Sequence, residues 1–389
     1  MSVPRRVLFL GHAAERTGPP LILLDLLRWI DEHTDIQPGV VLVEGGPLLA
    51  DFEALAPTWI VSDWLGPGPT RFTERVLHKL RLPGLAERLV AARRRWPARR
   101  VGEWPIVYVN CAGTARLLPL LPSPPQRVIA HIHELATGLD YHLEERTRVE
   151  LFDRADRIIT VSDAVSEQLA AMGIADGGRV ACIHGCIDPD PPRSPTPPSR
   201  RDLGIPEDAF VVGSAGLMHW RKAPDLFVSV ALRSLRDHPD AHFVWLGGRD
   251  DDPAARAARA DVEAAGIADR VHFVAHQDHP RDWFRLFDVF FLPAREDAYP
   301  LVCLEAASVG LPVVCFTSGG ATEFVRDDAG IVVPYPDLDA AADALSALRS
   351  APEWRRRLGA VGRRRVVDEH AVSAIAPRLV AEIEAVASA

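Results

Sequence analysis

Short runs of apolar residues alternate along this chain with longer stretches of helical character. Val7-Leu8-Phe9-Leu10, Val40-Val41-Leu42-Val43, Ile106-Val107-Tyr108-Val109, Val128-Ile129-Ala130, Arg157-Ile158-Ile159-Thr160 and Val180-Ala181-Cys182-Ile183 form a first series of predicted strands. Phe210-Val211-Val212-Gly213, Phe243-Val244-Trp245-Leu246, Val271-His272-Phe273-Val274, Val289-Phe290-Phe291-Leu292, Leu311 to Phe316 and Ile331-Val332-Val333 form a second. Strands that alternate with helices predict parallel sheets covered on both faces. Between the series, six of the ten residues from Pro189 to Pro198 are proline, a composition that reads as a stiff linker. The pattern therefore predicts an α/β protein of two doubly wound domains with a cleft between them. The expected bounds are residues 1–188, a linker at 189–199, residues 200–370, and a last helix at 371–389 that returns to the first domain.

One helix can be read in detail. Pro300 suits the first helical position, Gly310 a left-handed cap, and Pro312 prevents continuation. Asp297 then lies in the loop that leaves the strand at Val289, and Glu305 inside the helix. Loops at the carboxyl ends of parallel strands are where open sheets bind ligands.

Composition narrows the class. The chain has 389 residues, suited to two domains, with 48% hydrophobic and 25% charged residues and a formal net charge of −9. No apolar run approaches the roughly 20 residues that a membrane helix needs. The apolar run that begins at Val7 reads as a first strand rather than a signal peptide, so the expected location is the cytoplasm. Five cysteines, an odd number without framework spacing, agree with a reducing compartment. Residues 71–100 hold ten basic and two acidic side chains, a net of +8 that leaves −17 for the rest. This run reads first as a solvated helical insertion. As a sharper alternative it would contact an acidic partner or hold the protein at the inner membrane face, since each Lys or Arg near anionic lipid gains roughly 1 kcal/mol. Nucleic acid is not expected, because no stacking platform accompanies the arginines. Lysine is scarce: only Lys79 and Lys222 stand against 42 arginines.

Several patterns carry little. Cys182, His184 and Cys186 look like half of a metal site without a second pair, and Asp250-Asp251-Asp252 reads as a solvated loop. No Gly-x-Gly-x-x-Gly opens a helix after a strand, which argues against a dinucleotide dehydrogenase.

The stretches GHAAERTGPPLILLDLLRWI (11–30), HIHEL (131–135), Trp220-Arg221-Lys222 and EDAYPLVCLEAASVGLPVVCFTSGGATEF (296–324) resemble retaining glycosyltransferases of family 4, which have the GT-B fold. The resemblance implies an enzyme that moves a sugar from a nucleotide diphosphate sugar, most simply a UDP-sugar, to an acceptor hydroxyl, without metal or other cofactor. A hexosyl or N-acetylhexosaminyl group is the implied cargo. It also implies that the first domain takes the acceptor and the second the donor.

Residue by residue, Glu305 matches the acid that accepts from the ribose hydroxyls, a vicinal diol suited to a two-oxygen carboxylate. Asp297 matches the acid that touches the donor sugar, in place of the commoner glutamate and with Glu296 beside it. Tyr299, Leu301 and Val302 would offer backbone N–H groups to the diphosphate at the helix start. Lys222 matches a phosphate-binding lysine. Leu217 stands where an arginine is common, and Arg221 is the candidate replacement. Gly18 matches a glycine that lets the first domain's backbone approach the diphosphate, and His133 a histidine near donor sugar and acceptor. Gly319, Gly320 and Glu323 match the Gly-Gly-x-x-Glu beyond the next strand. Lys222, Arg221 and His133 are thus the expected catalytic groups. Two alternatives stay open: epimerisation or phosphorolysis on the same fold, and nucleotide-sugar binding without turnover. The acceptor is open among a lipid, a cell-envelope sugar and a small natural product.

Overall fold

A computed structural model describes residues 5–61, 101–174, 178–249 and 252–389. The basic run at 71–100 lies outside the described residues, as do Asp250 and Asp251. The chain divides into two compact units: residues 1–161, 165–183 and 376–389 form the first, and 162–164 with 184–375 the second.

The first unit is built on β1 (Arg6–Ala13), β2 (Gln37–Glu44), β3 (Thr58–Ile60), β4 (Ile106–Asn110), β5 (Arg127–Ile132), β6 (Arg157–Thr160) and β7 (Val180–Cys182). They pair in parallel in the order β3-β2-β1-β4-β5-β6-β7. Strands buried on both faces must be apolar throughout, and Val7 to Leu10, Val40 to Leu42 and Ile106 to Val109 are all buried. The order reverses between β1 and β4, so the carboxyl ends of those two strands frame the switch point. The last helix, Val372–Ser388, contributes its later turns to this unit, and Glu382 accepts from both Nε and Nη2 of Arg157 at 2.5 and 3.0 Å.

In the second unit β8 (Val211–Ala215), β9 (His242–Leu246), β10 (Val271–Val274), β11 (Val289–Leu292), β12 (Val313–Phe316) and β13 (Gly330–Val333) pair in parallel in the order β10-β9-β8-β11-β12-β13. Its core is aromatic at the centre: Phe227 of the helix Pro224–Asp237 meets Phe243, Trp245 and Phe291 at centroid distances of 5.8, 5.4 and 6.4 Å. The proline-rich stretch belongs to this unit, where buried Asp282 accepts from the Ser194 N–H at 2.7 Å and Arg193 Nε at 3.0 Å. Here the order reverses between β8 and β11, and the loops that leave these two strands carry Lys222 and Asp297.

Two local readings change. The helix after β11 runs Leu301–Ser308, and Pro300 is its N-cap, with φ −76° and ψ 104°, rather than its first helical residue. Proline's fixed φ suits either position; the extended ψ decides. Glu305 is accordingly the fifth helical residue, little more than one turn in. Asp252 is not merely solvated, because its carboxylate caps the helix Pro253–Ala264 by accepting from the Ala254 N–H at 2.9 Å. No described helix is long and apolar enough to cross a membrane.

Candidate active site

In the second unit, three loops are tied into one assembly. After β8 the chain turns at Gly216, whose φ of +142° few side chains tolerate and whose carbonyl accepts from Trp245 Nε1 at 3.0 Å. It then folds so that the His219 carbonyl accepts from the N–H groups of Lys222 and Ala223. The loop after β11 docks on it: the Arg295 N–H donates to the Arg221 carbonyl at 2.7 Å, and Arg295 Nη1 donates to the Trp220 carbonyl at 3.0 Å. The same guanidinium grips Asp225 with both nitrogens at 2.9 and 2.5 Å, and that hydrogen bonding holds the Asp225 carboxyl below its usual range. A third loop clips on beyond β12. Asp297 N–H donates to the Ser318 carbonyl at 3.3 Å, and Gly320 N–H to the Asp297 carbonyl at 3.1 Å. Gly320 is required for this, since a Cβ there would stand 2.1 Å from the Ala298 oxygen.

At the centre Lys222 Nζ donates to Asp297 Oδ2 at 2.5 Å, with side chains only 15% and 12% exposed. The structure thus joins two residues that the sequence assigned to separate tasks. Arg221 stands beside them, its guanidinium at 3.5 Å from the Glu296 carbonyl. The Leu301 and Val302 N–H groups open the following helix and make no hydrogen bond among the described residues. Glu305 is half-buried, and no described residue hydrogen-bonds its carboxylate. Desolvation raises its pKa, against the lowering fields of Arg281 and Lys222. A half-buried carboxylate without a protein partner fits a polar ligand. Leu217, at the family arginine position, is 49% exposed.

Behind this assembly Tyr299 is buried, with its ring stacked on His184 at 4.8 Å and its hydroxyl 3.3 Å from His370 Nε2. Glu323 accepts from His184 Nε2 at 3.0 Å and from the Asp163 and Ala164 N–H groups. Burial opposes its charge, but these hydrogen bonds together hold its carboxyl below the usual range. Glu323 therefore braces the ring that braces Tyr299.

In the first unit, Gly18 begins the helix Gly18–His33 after β1, and His133 follows β5. Asn110, at the end of β4, joins them: its Nδ2 donates to the Pro19 carbonyl at 3.1 Å and its Oδ1 lies 3.3 Å from His133 Nε2. The network assigns the proton to Nε2 and leaves Nδ1 as an acceptor. Burial first, then neighbouring His131 and His12, push the His133 pKa well below 6.5, so the ring is neutral. Glu134 accepts from the N–H groups of Ala112 and His133.

Sequence reasoning missed Arg295, Asn110 and His219. Their only signal was position, each within three residues of a strand end or an assigned residue.

Comparison with known proteins bears on both units. Residues 209–350 match the family described as Glycosyl transferases group 1. The chain is 30% identical over 222 residues to a D-inositol 3-phosphate glycosyltransferase of Kribbella flavida, covering 54% of this chain and 52% of that one. The match to the Thermobifida fusca protein of the same name is 30% over 286 residues, covering 69% and 61%. The chain thus spans about half the length of the first of these relatives. Among solved structures, an Anabaena protein, HepE, in complex with UDP and glucose superposes with a TM-score of 0.78 at 16% identity, covering 98% and 100% of the two chains. Sucrose-phosphate synthase from Thermosynechococcus elongatus gives 0.75 at 18%, with 99% of each covered. The fold is GT-B.

Proposed function

We propose that this chain, a group 1 glycosyl transferase by its residues 209–350 and GT-B by its fold, moves a sugar from a UDP-sugar to an acceptor hydroxyl with retention of configuration. The observation that carries the proposal is the Lys222–Asp297 pair held beside a helix start with free N–H groups, with an unpartnered Glu305 one turn further along. An ammonium and helix N–H groups suit a diphosphate; an unpartnered carboxylate suits a ribose diol.

In this scheme the second unit takes the donor and the first takes the acceptor. Glu305 accepts from the ribose hydroxyls. The diphosphate lies against the N–H groups of Tyr299, Leu301 and Val302 and draws Lys222 toward its oxygens. Asp297, released from Lys222, accepts from the sugar hydroxyls, and Gly319 and Gly320 keep its backbone in place. As the glycosidic bond breaks, negative charge grows on the leaving phosphate, and Lys222 and Arg221 are the fixed charges that stabilise it. Neutral His133, with Nδ1 as a lone-pair acceptor, serves near the donor sugar and acceptor, and Gly18 lets the first unit's backbone approach the diphosphate. The leaving phosphate oxygen takes the proton of the acceptor hydroxyl. The site's own cations neutralise the leaving group, so transfer is proposed to proceed without a divalent ion or other cofactor, in the cytoplasm.

A donor panel tests this. UDP-sugars should raise the melting temperature, by an amount equivalent to about 2.7 kcal/mol at a hundred times Kd. The best binder should then be consumed with a hydroxyl acceptor, with inositol 3-phosphate first in the panel because of the relatives' name. Product with the donor's anomeric configuration, formed equally in chelator, is expected. An inverted product, or activity restored only by magnesium or manganese, overturns the corresponding part.

A further inference from the structure

His219 has no place in the scheme above, and it stands in the middle of the cationic loop. Its backbone is fixed, since its carbonyl accepts from the N–H groups of both Lys222 and Ala223. Its ring is half-buried, and no described residue hydrogen-bonds it. The groups that act on it electrostatically come from three places: Arg221 and Lys222 on its own loop, Asp297 on the loop after β11, and Asp252 at the start of the helix Pro253–Ala264. An imidazole here shares the environment of the proposed phosphate-binding cations without a partner of its own.

We propose, resting on the donor-site reading above, that His219 is a further donor-binding residue: its imidazole takes a proton from solvent when the diphosphate arrives, donates the resulting N–H to a phosphate oxygen, and returns the proton on release. The protein's own groups support the unprotonated starting state, because burial first, then Arg221 and Lys222, hold the ring to a pKa of about 4 against the opposing fields of Asp297 and Asp252. A bound diphosphate reverses the balance. An opposite charge within about 4 to 6 Å favours the charged form by roughly 1 to 3 pH units. It also draws Lys222, the loop's other titratable cation, into pairing with phosphate. Affinity for the donor is then coupled to pH through a residue that does not touch the sugar.

The test uses UDP-glucose as probe, since both its phosphates are esterified and it lacks the terminal phosphate ionisation near pH 6 that UDP has. Titration calorimetry at pH 6, in two buffers of different ionisation enthalpy, counts the protons taken up per UDP-glucose bound. Uptake by the unmodified protein is expected, with binding about fourfold tighter at pH 6 than at pH 8 if the bound imidazole returns to its ordinary pKa of about 6.5. His219→Gln and His219→Asn keep a polar side chain without titration; both should bind with no proton uptake and a flat pH profile. Binding by the unmodified protein without uptake, or uptake that persists in the folded variants, overturns the inference and leaves the donor site standing. Binding of neither UDP-glucose nor UDP takes down the donor-site reading and His219 with it.

Discussion

Glu305 and Lys222 are both charged and both face the proposed donor, yet they meet parts of it that behave differently. In the proposed scheme the ribose does not change charge during transfer, so Glu305 would serve ground and transition states alike. Glu305→Ala should raise KM and weaken UDP binding with a smaller effect on kcat, as loss of uniform binding does. Lys222 is proposed to meet oxygens whose charge grows, so Lys222→Ala should lower kcat about a hundredfold or more and weaken donor binding less. Lys222→Arg should rescue only partly, because a planar fork does not occupy the place of a compact ammonium. Steady-state kinetics with a UDP binding titration decides it; unchanged turnover in folded Lys222→Ala would shift the phosphate role to Arg221.

The elements that position these residues depend on backbone contacts, and Gly320 is the tightest. A Cβ at that position would lie 2.1 Å from the Ala298 oxygen and 2.9 Å from Ser162 Cβ, and neither neighbour is the far end of a flexible chain. Gly320→Ala should therefore detach the clip that fixes Asp297, lowering kcat while leaving UDP affinity, which depends on Glu305, nearly unchanged. Equal loss of both would show that the loop serves the nucleotide instead. Most strands were legible because a buried parallel strand is a run of apolar residues, and each of the twelve runs read as a strand became one. β3 was not, since Thr58–Ile60 is a half-buried edge of three residues after a proline. Asp297 and Glu305 were visible as a spaced pair of acids on one helix approach. The Lys222–Asp297 contact was not, because it joins residues 75 apart whose meeting is decided by the strand order. His219 was invisible for a further reason: only the fold around it makes a neutral histidine out of one flanked by cations.

Across the whole molecule, histidines are kept neutral in the interior. Burial holds His131 at a pKa of about 3 and His370 and His272 at about 4, with His242 also lowered. Each would take a proton near 6.5 once unfolded, so between about 6.5 and the folded value the unfolded chain binds more protons. Their contribution is fully present above 6.5 and is lost as pH falls toward 4, by at most about 1.4 kcal/mol per pH unit for a fully buried ring such as His131. Melting temperature should therefore fall steadily from pH 7 to pH 5, above the range in which carboxylates protonate. A flat profile over that interval would show that these rings admit water and charge freely.

Scarcity gives the central ion pair a practical use. With only two lysines in the sequence, an amine-acylating reagent has few targets, and a peptide map can follow Lys222 by itself. A lysine side chain 15% exposed, its ammonium 2.5 Å from a carboxylate, should be modified slowly in the native protein. Asp297→Asn should speed its modification by removing the partner, and saturating UDP should slow it again. Native Lys222 that reacts as fast as a free surface amine would mean that the pair opens readily. The rate at which one side chain is acylated thus becomes a direct gauge of whether the Lys222–Asp297 pair is shut.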